Sequence, residues 1–127
     1  MKFCVSGSFN PIEQLVPMAQ AAEECGFALF TVADHVVYQE KINTPYPYNP
    51  SGQRPWSAHS DWPDAWVMIG ALAAMTKRIV FTPSVFILPM RHPVLVAKEV
   101  STAAVISNNR VVLGIGVGWS KDEFELL

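Results

Sequence analysis

Strand-prone and helix-prone segments alternate along this 127-residue chain, and no other feature restricts its fold as much. Lys2 to Ser6 is a short β-prone stretch closed by Gly7 and Ser8. Asn10, Pro11 and Glu13 then supply an N-cap, a first-turn proline and a capping-box acid. Leu15, Met18, Ala19 and Ala22 recur at helical spacing and Gly26 is a C-terminal stop, which predicts a helix from Pro11 to Cys25. Phe27 to Ala33 reads as a second strand. A helix from Asp64 to Thr76 is expected to bury Trp66, Ile69, Leu72 and Ala73. Ile79 to Leu88 follows as a strand in which Pro83, lacking an N–H, implies a bulge or a strand end. Pro93 opens a third helix to about Ile106, Asn108 and Asn109 tolerate the left-handed turn, and Arg110 to Val117 is a fourth strand. A last helix begins at Lys121. Such alternation implies a parallel sheet with right-handed crossovers, an α/β fold.

One segment breaks the rhythm. From Tyr38 to Pro63 the chain carries Pro45, Pro47, Pro50, Pro55 and Pro63 together with Tyr46, Tyr48, Trp56 and Trp62. A structureless loop of this length inside a domain is a lid or binding loop, or is disordered, and the aromatic content favours an ordered one. No repeat or linker divides the chain, so residues 1–127 read as a single domain.

Composition excludes several functions. The net charge is −2 and no Lys/Arg run occurs, so the electrostatic footprint of a nucleic-acid binder is missing. Nowhere do 18 apolar residues follow one another, no signal peptide is evident, and no membrane partner is expected; the expected compartment is the cytoplasm. Cys4 and Cys25 have neither metal nor redox spacing and read as reduced, buried thiols. Half of the residues are hydrophobic and 16% are charged, more apolar than so short a soluble chain can bury by itself. Some of that surface is expected to meet another chain or a further segment.

In parallel βα architectures ligands bind beyond the carboxyl ends of the strands. Four places qualify: Ser6 to Phe9, Asp34 with His35, Ser84 to Pro89, and Gly116 to Trp119. Asp34 and His35 are the only acid–imidazole neighbours, although adjacent residues on an extended segment point opposite ways, so one of them can equally cap the loop that follows. Gly114, Gly116 and Gly118 lack the spacing of a dinucleotide fingerprint. Alternating glycines instead leave one strand face bare, open to a flat ring or to a neighbouring backbone. His92 precedes Pro93 and reads as a helix-start residue, and His59 has no identifiable partner. The three histidines form no ligand spacing, so no metal is expected. Nucleophilic catalysis has no supporting motif. Tyr46, Tyr48, Trp56, Trp62 and Trp66 fit a substrate pocket, a subunit contact or a loop mini-core equally well.

The chain resembles the luciferase-like monooxygenase superfamily, in its branch dependent on deazaflavin, coenzyme F-420. The resemblance runs from KFCVSGSFNP to GWSKDEFELL and is carried by Ala33-Asp34-His35, the loop NTPYPYNPSG, ILPMRHPVLVAKEV from Ile87 to Val100, and RVVLGIGVGWSKDEFE from Arg110 to Glu125. It implies parallel (β/α) units forming the N-terminal half of a TIM (β/α)₈ barrel, since a whole barrel takes roughly 250 residues. It also implies an oxidoreductase that transfers a hydride between a deazaflavin or flavin cofactor and a small organic substrate, with FMN as the alternative cofactor. Asp34 and His35 match the catalytic pair beside the ring. Ser84 and Val85 match a cis peptide supporting its back, and Gly116, Val117 and Gly118 match the strand end that approaches the cofactor. Two departures stand out: Ala103 to Asn109 lacks an acid and two small turn positions usual before the fourth strand, which puts local stability there in question, and Pro83 precedes the bulge. Rival readings are an FMN-dependent monooxygenase using O₂, and a truncated, non-catalytic half-barrel that assembles or binds. A homodimer, or pairing with a missing second half, is expected from the uncovered edges of a half-barrel.

Overall fold

The computed structural model describes all 127 residues. Strand β1 (Cys4–Ser6) leads into helix α1 (Ile12–Glu24), and β2 (Leu29–Val32) into the long loop and helix α2 (Ala65–Ala74). Strands β3 (Val80–Pro83) and β4 (Phe86–Ile87) are followed by a single 3₁₀ turn and helix α3 (Pro93–Ser107), then β5 (Ile115–Gly116) and helix α4 (Lys121–Leu126). Every strand pair is parallel: β1 with β2, β2 with β3, β4 with β5. The expected α/β alternation is met, with element ends within a few residues of those read from sequence.

Two expected strands are interrupted. The run from Ile79 to Leu88 ends as a strand at Pro83, passes through a cis Ser84–Val85 peptide and resumes as β4. The run from Arg110 to Val117 keeps only an isolated bridge, Val111 to Phe81, and the two residues of β5. Hydrogen bonds from Phe81 N to Arg110 O, Val112 N to Phe81 O and Phe86 N to Gly114 O still tie the two runs together. Spatially the order is therefore β1, β2, β3 with β4, β5.

Helices lie against one face of this sheet. Phe30 and Phe81, both fully buried, meet edge to face at 6.3 Å beneath Leu15, Ala19 and Ala22 of α1 and Ile69, Leu72 and Ala73 of α2. The predicted buried face of α2 is the observed one. Trp66 belongs to this core, 5.9 Å from Phe86, and not to the aromatic loop. Cys4 and Cys25 are free but exposed, contrary to expectation: Cys4 sits on the sheet face that no helix covers, and Cys25 at the C-cap of α1. No helix is long and apolar enough to cross a membrane.

Two ends depend on distant side chains. Asn10 does not cap α1, because its amide donates to the carbonyls of Gly7 and Ser8; the Ile12 N–H donates instead to Asp61 Oδ2 at 2.8 Å, from the long loop. After α3, Asn108 and Asn109 both take the left-handed conformation, and Arg110 follows. Its guanidinium donates to the carbonyls of Ala73 and Thr76 at the end of α2, Ile79 beyond it and Ser107 at the end of α3, at 2.7 to 3.1 Å. That fork stabilises the segment in which the residues of the family pattern are missing.

Candidate active site

The strand ends meet in one cavity of about 530 Å³, within the range of small-molecule sites. It gathers Asp34, His35, Ser84, Val85, Gly116, Val117 and Gly118, which sequence placed at three separate strand ends. Val85 presents its side chain beyond the cis peptide and is 46% exposed. The glycines serve neighbouring chain as well as the cavity: a Cβ on Gly114 would collide with the Pro83 carbonyl oxygen, and one on Gly116 with the Val85 side chain. Gly118 adopts φ +80°, a left-handed value that favours glycine.

Asp34 and His35 do point opposite ways. The Asp34 carboxylate is buried and accepts from the Ile87 N–H at 2.8 Å and from Arg91 Nη2 at 2.5 Å, while Arg91 Nη1 donates to the Ile87 carbonyl. Both oxygens are thus engaged in holding β4 and the turn after it. His35 turns toward the rings. Its Nδ1 lies 2.8 Å from Glu123 Oε2, and its imidazole sits 5.3 to 5.8 Å from Trp56, Trp62 and Trp119.

Glu123 was not anticipated. Ser120-Lys121-Asp122-Glu123 has the form of a capping box, and Ser120 Oγ does accept from the Glu123 N–H at 3.3 Å. Its carboxylate, however, leaves its own helix: Oε1 accepts from the N–H groups of Val36 at 2.6 Å and Val37 at 3.3 Å, and Oε2 meets His35. Burial pushes this carboxyl up, but the bonds from His35 and Val36, the attraction of the His35 ring and the Val37 N–H together hold it below the ordinary range. Asp122 beside it takes the loop further along, accepting from the N–H groups of Asn43 and Thr44; bonds from Thr44 and Asn43 hold its carboxyl well below the usual value. One turn of α4 thereby fastens residues 35–44.

The aromatic loop is ordered over the cavity. Trp56 and Trp62 lie 5.0 Å apart, Tyr46 packs edge-on to Trp56 and to Trp119 at 5.2 Å, and Phe9 closes the other side at 5.4 Å from Trp62. Phe9 and Trp119 join the cluster expected from the loop, and Trp66 leaves it. His92 occupies the N-cap of α3 without a side-chain cap bond, and no group of three or more metal-ligating side chains occurs.

Such a lining suits a flat ring. Apolar and aromatic walls face a few polar groups, Ser8, Asp34, His35 and Ser84, whereas no lysine or arginine lines the cavity. The residues present therefore fit the tricyclic part of a flavin or deazaflavin and include no cationic side chain for an anionic phosphate tail.

The profile of a family described as luciferase-like monooxygenase matches residues 3–127. An uncharacterized protein of Mycobacterium tuberculosis is 33% identical over 127 residues, all of this chain and 44% of that protein. An F420-dependent glucose-6-phosphate dehydrogenase of Amycolatopsis mediterranei is 33% identical over 116 residues, 91% of this chain and 30% of the relative. Among solved structures, the FMN complex of the oxygenating constituent of 3,6-diketocamphane monooxygenase from Pseudomonas putida superposes with TM-score 0.75 at 20% identity, covering 99% of this chain and 32% of that one. The chain thus spans less than half the length of these relatives, and its fold is that of parallel βα units from a luciferase-like TIM barrel.

Proposed function

The chain belongs to the luciferase-like monooxygenase family, and from that premise we propose that its cavity holds the ring of a deazaflavin, in an oxidoreductase acting on a small organic substrate. The observation that carries the reading is the convergence of Val85, Gly116, Val117 and Gly118 with His35, which Glu123 holds from behind, in a single aromatic-walled cavity. The F420-dependent relative at 33% identity favours deazaflavin over FMN. When bound, such a ring supplies two-electron hydride chemistry, and the protein contributes binding, orientation and proton handling.

Each of those contributions has residues here. Val85 and the Gly116–Gly118 segment form a wall of low relief against which a planar ring can lie. Phe9, Tyr46, Trp56, Trp62 and Trp119 keep water away from the opposite side. His35 carries the only imidazole lining the cavity, so it is the residue assigned to give or take a proton there. Asp34, with both oxygens engaged, is assigned to holding Ile87 and Arg91 in place. Exposed Val112, Leu113, Ile115 and Val117 along the β5 edge support pairing of this edge with a second copy or with further barrel strands.

Titrating the purified chain with coenzyme F-420 and separately with FMN tests the reading. A dissociable complex with a shifted cofactor spectrum is expected, tighter for the deazaflavin. No complex with either at high micromolar cofactor would remove ring binding from this chain.

A further inference from the structure

We propose that Glu123 is a positioning residue that keeps Nδ1 of His35 protonated in both charge states of the ring, so that proton exchange with the cavity runs through Nε2 alone. An ionised carboxylate only accepts hydrogen bonds. At 2.8 Å from Glu123 Oε2, Nδ1 must therefore be the donor whether the imidazole is neutral or charged. Glu123 has no freedom to turn away, since its other oxygen accepts from the N–H groups of Val36 and Val37 and its side chain is 3% exposed. Neither has the imidazole, wedged among Trp56, Trp62 and Trp119. What is left for a ligand is Nε2, a hydrogen-bond acceptor toward a hydroxyl or N–H when the ring is neutral and a donor when it is charged. The two residues stand 88 positions apart, so the tautomer at the strand-two end is set by the first turn of α4.

The meaning of this for turnover rests on the reading of the cavity as a redox site, but the tautomer itself does not. It is measured on the cofactor-free full chain by long-range proton–nitrogen correlation of ¹⁵N-labelled imidazoles across pH, with His35→Gln assigning the signals. In the wild type Nδ1 is expected to stay in its protonated, pyrrole-like position throughout while only Nε2 moves. Glu123→Gln is the discriminating variant. Its carbonyl oxygen must remain on the Val36 and Val37 amides, which turns the NH₂ group toward Nδ1 and obliges that nitrogen to accept. The neutral tautomer should then invert, with the Val36 and Val37 amide protons still protected. A wild-type ring that is neutral as the Nε2–H tautomer, or as a mixture, overturns the proposal, as does a folded Glu123→Gln variant with the wild-type tautomer. Should that variant fail to fold, the wild-type spectrum decides alone. Inability to bind coenzyme F-420 would leave this result standing, which separates the two claims.

Discussion

Replacing Arg110 by Met removes the fork that closes two helices while keeping a side chain of similar length. Four backbone carbonyls, those of Ala73, Thr76, Ile79 and Ser107, lose a charged donor, and Thr76 Oγ1 loses a neighbour at 3.1 Å. Hydrogen bonds to charged groups contribute about 1.5–3 kcal/mol each in isolation, but they are not additive. Arg110 is only partly buried, so water recovers some of the abandoned carbonyls. A net loss of about 3–4 kcal/mol is the expectation, close to what breaking a partly buried charged network costs. Lys at the same position keeps the charge but has a single point of donation instead of a planar fork, so Arg110→Lys should lose about half as much. Urea unfolding of the full chain followed by circular dichroism reads both. With a slope of about 2 kcal/mol per molar, the Met variant's midpoint should fall by about 1.5–2 M and the Lys variant's by about half that. Midpoints for both variants that lie within about 0.25 M of wild type, equivalent to about 0.5 kcal/mol, would refute the reasoning, because the fork would then contribute nothing beyond solvent.

Two further perturbations test other parts of the site, alongside the cofactor titration and the Glu123→Gln measurement above. Gly118→Ala forces a side chain into φ +80° and sets a Cβ 2.7 Å from Ile87 Cγ2 and 2.9 Å from Phe124 Cε2, so a loss of about 2–3 kcal/mol in the same urea assay is expected and a neutral result would contradict it. Acid should loosen the loop before the core. The carboxyls of Asp122 and Glu123 are depressed in the folded chain, so their contribution is complete above the unfolded values of about 3.9 and 4.3 and is lost as pH falls through the lower folded ones. Fluorescence of Trp56, Trp62 and Trp119 should change as pH is lowered from about 5 to about 2, with helical dichroism lagging behind, and simultaneous loss of both signals would refute a loop held by these acids.

Much of the fold was legible because it is local. Leu15, Ala19 and Ala22 share one side of α1 by helical spacing, Pro93 starts α3 where a missing N–H costs nothing, and Pro83 ends β3 because it cannot donate to the ladder. The strand ends could be named for the same reason, since in a parallel sheet the residue after each strand must lie on one rim. Where spacing misled, a distant partner intervened. Asn10 is shaped for an N-cap, yet Asp61 supplies the acceptor; Cys4 looks like a core thiol, yet it lies on the sheet face opposite the helices.

The candidate site divides in the same way. Periodicity and motif spacing put Asp34, His35, Ser84, Val85 and Gly116 to Gly118 at strand ends, and those placements require only the direction of the chain. Which of the two neighbours faces the cavity required the positions of Ile87 and Arg91, which engage Asp34 and leave the rings to His35. The partner of His35 required the tertiary fold altogether. Glu123 satisfies a capping-box pattern in sequence, and only the packing of α4 against the strand-two end brings its carboxylate to an imidazole 88 residues away. Hydrophobic periodicity records what each segment buries. It carries no record of which buried polar group answers which, because that pairing depends on how whole elements lie against one another in space.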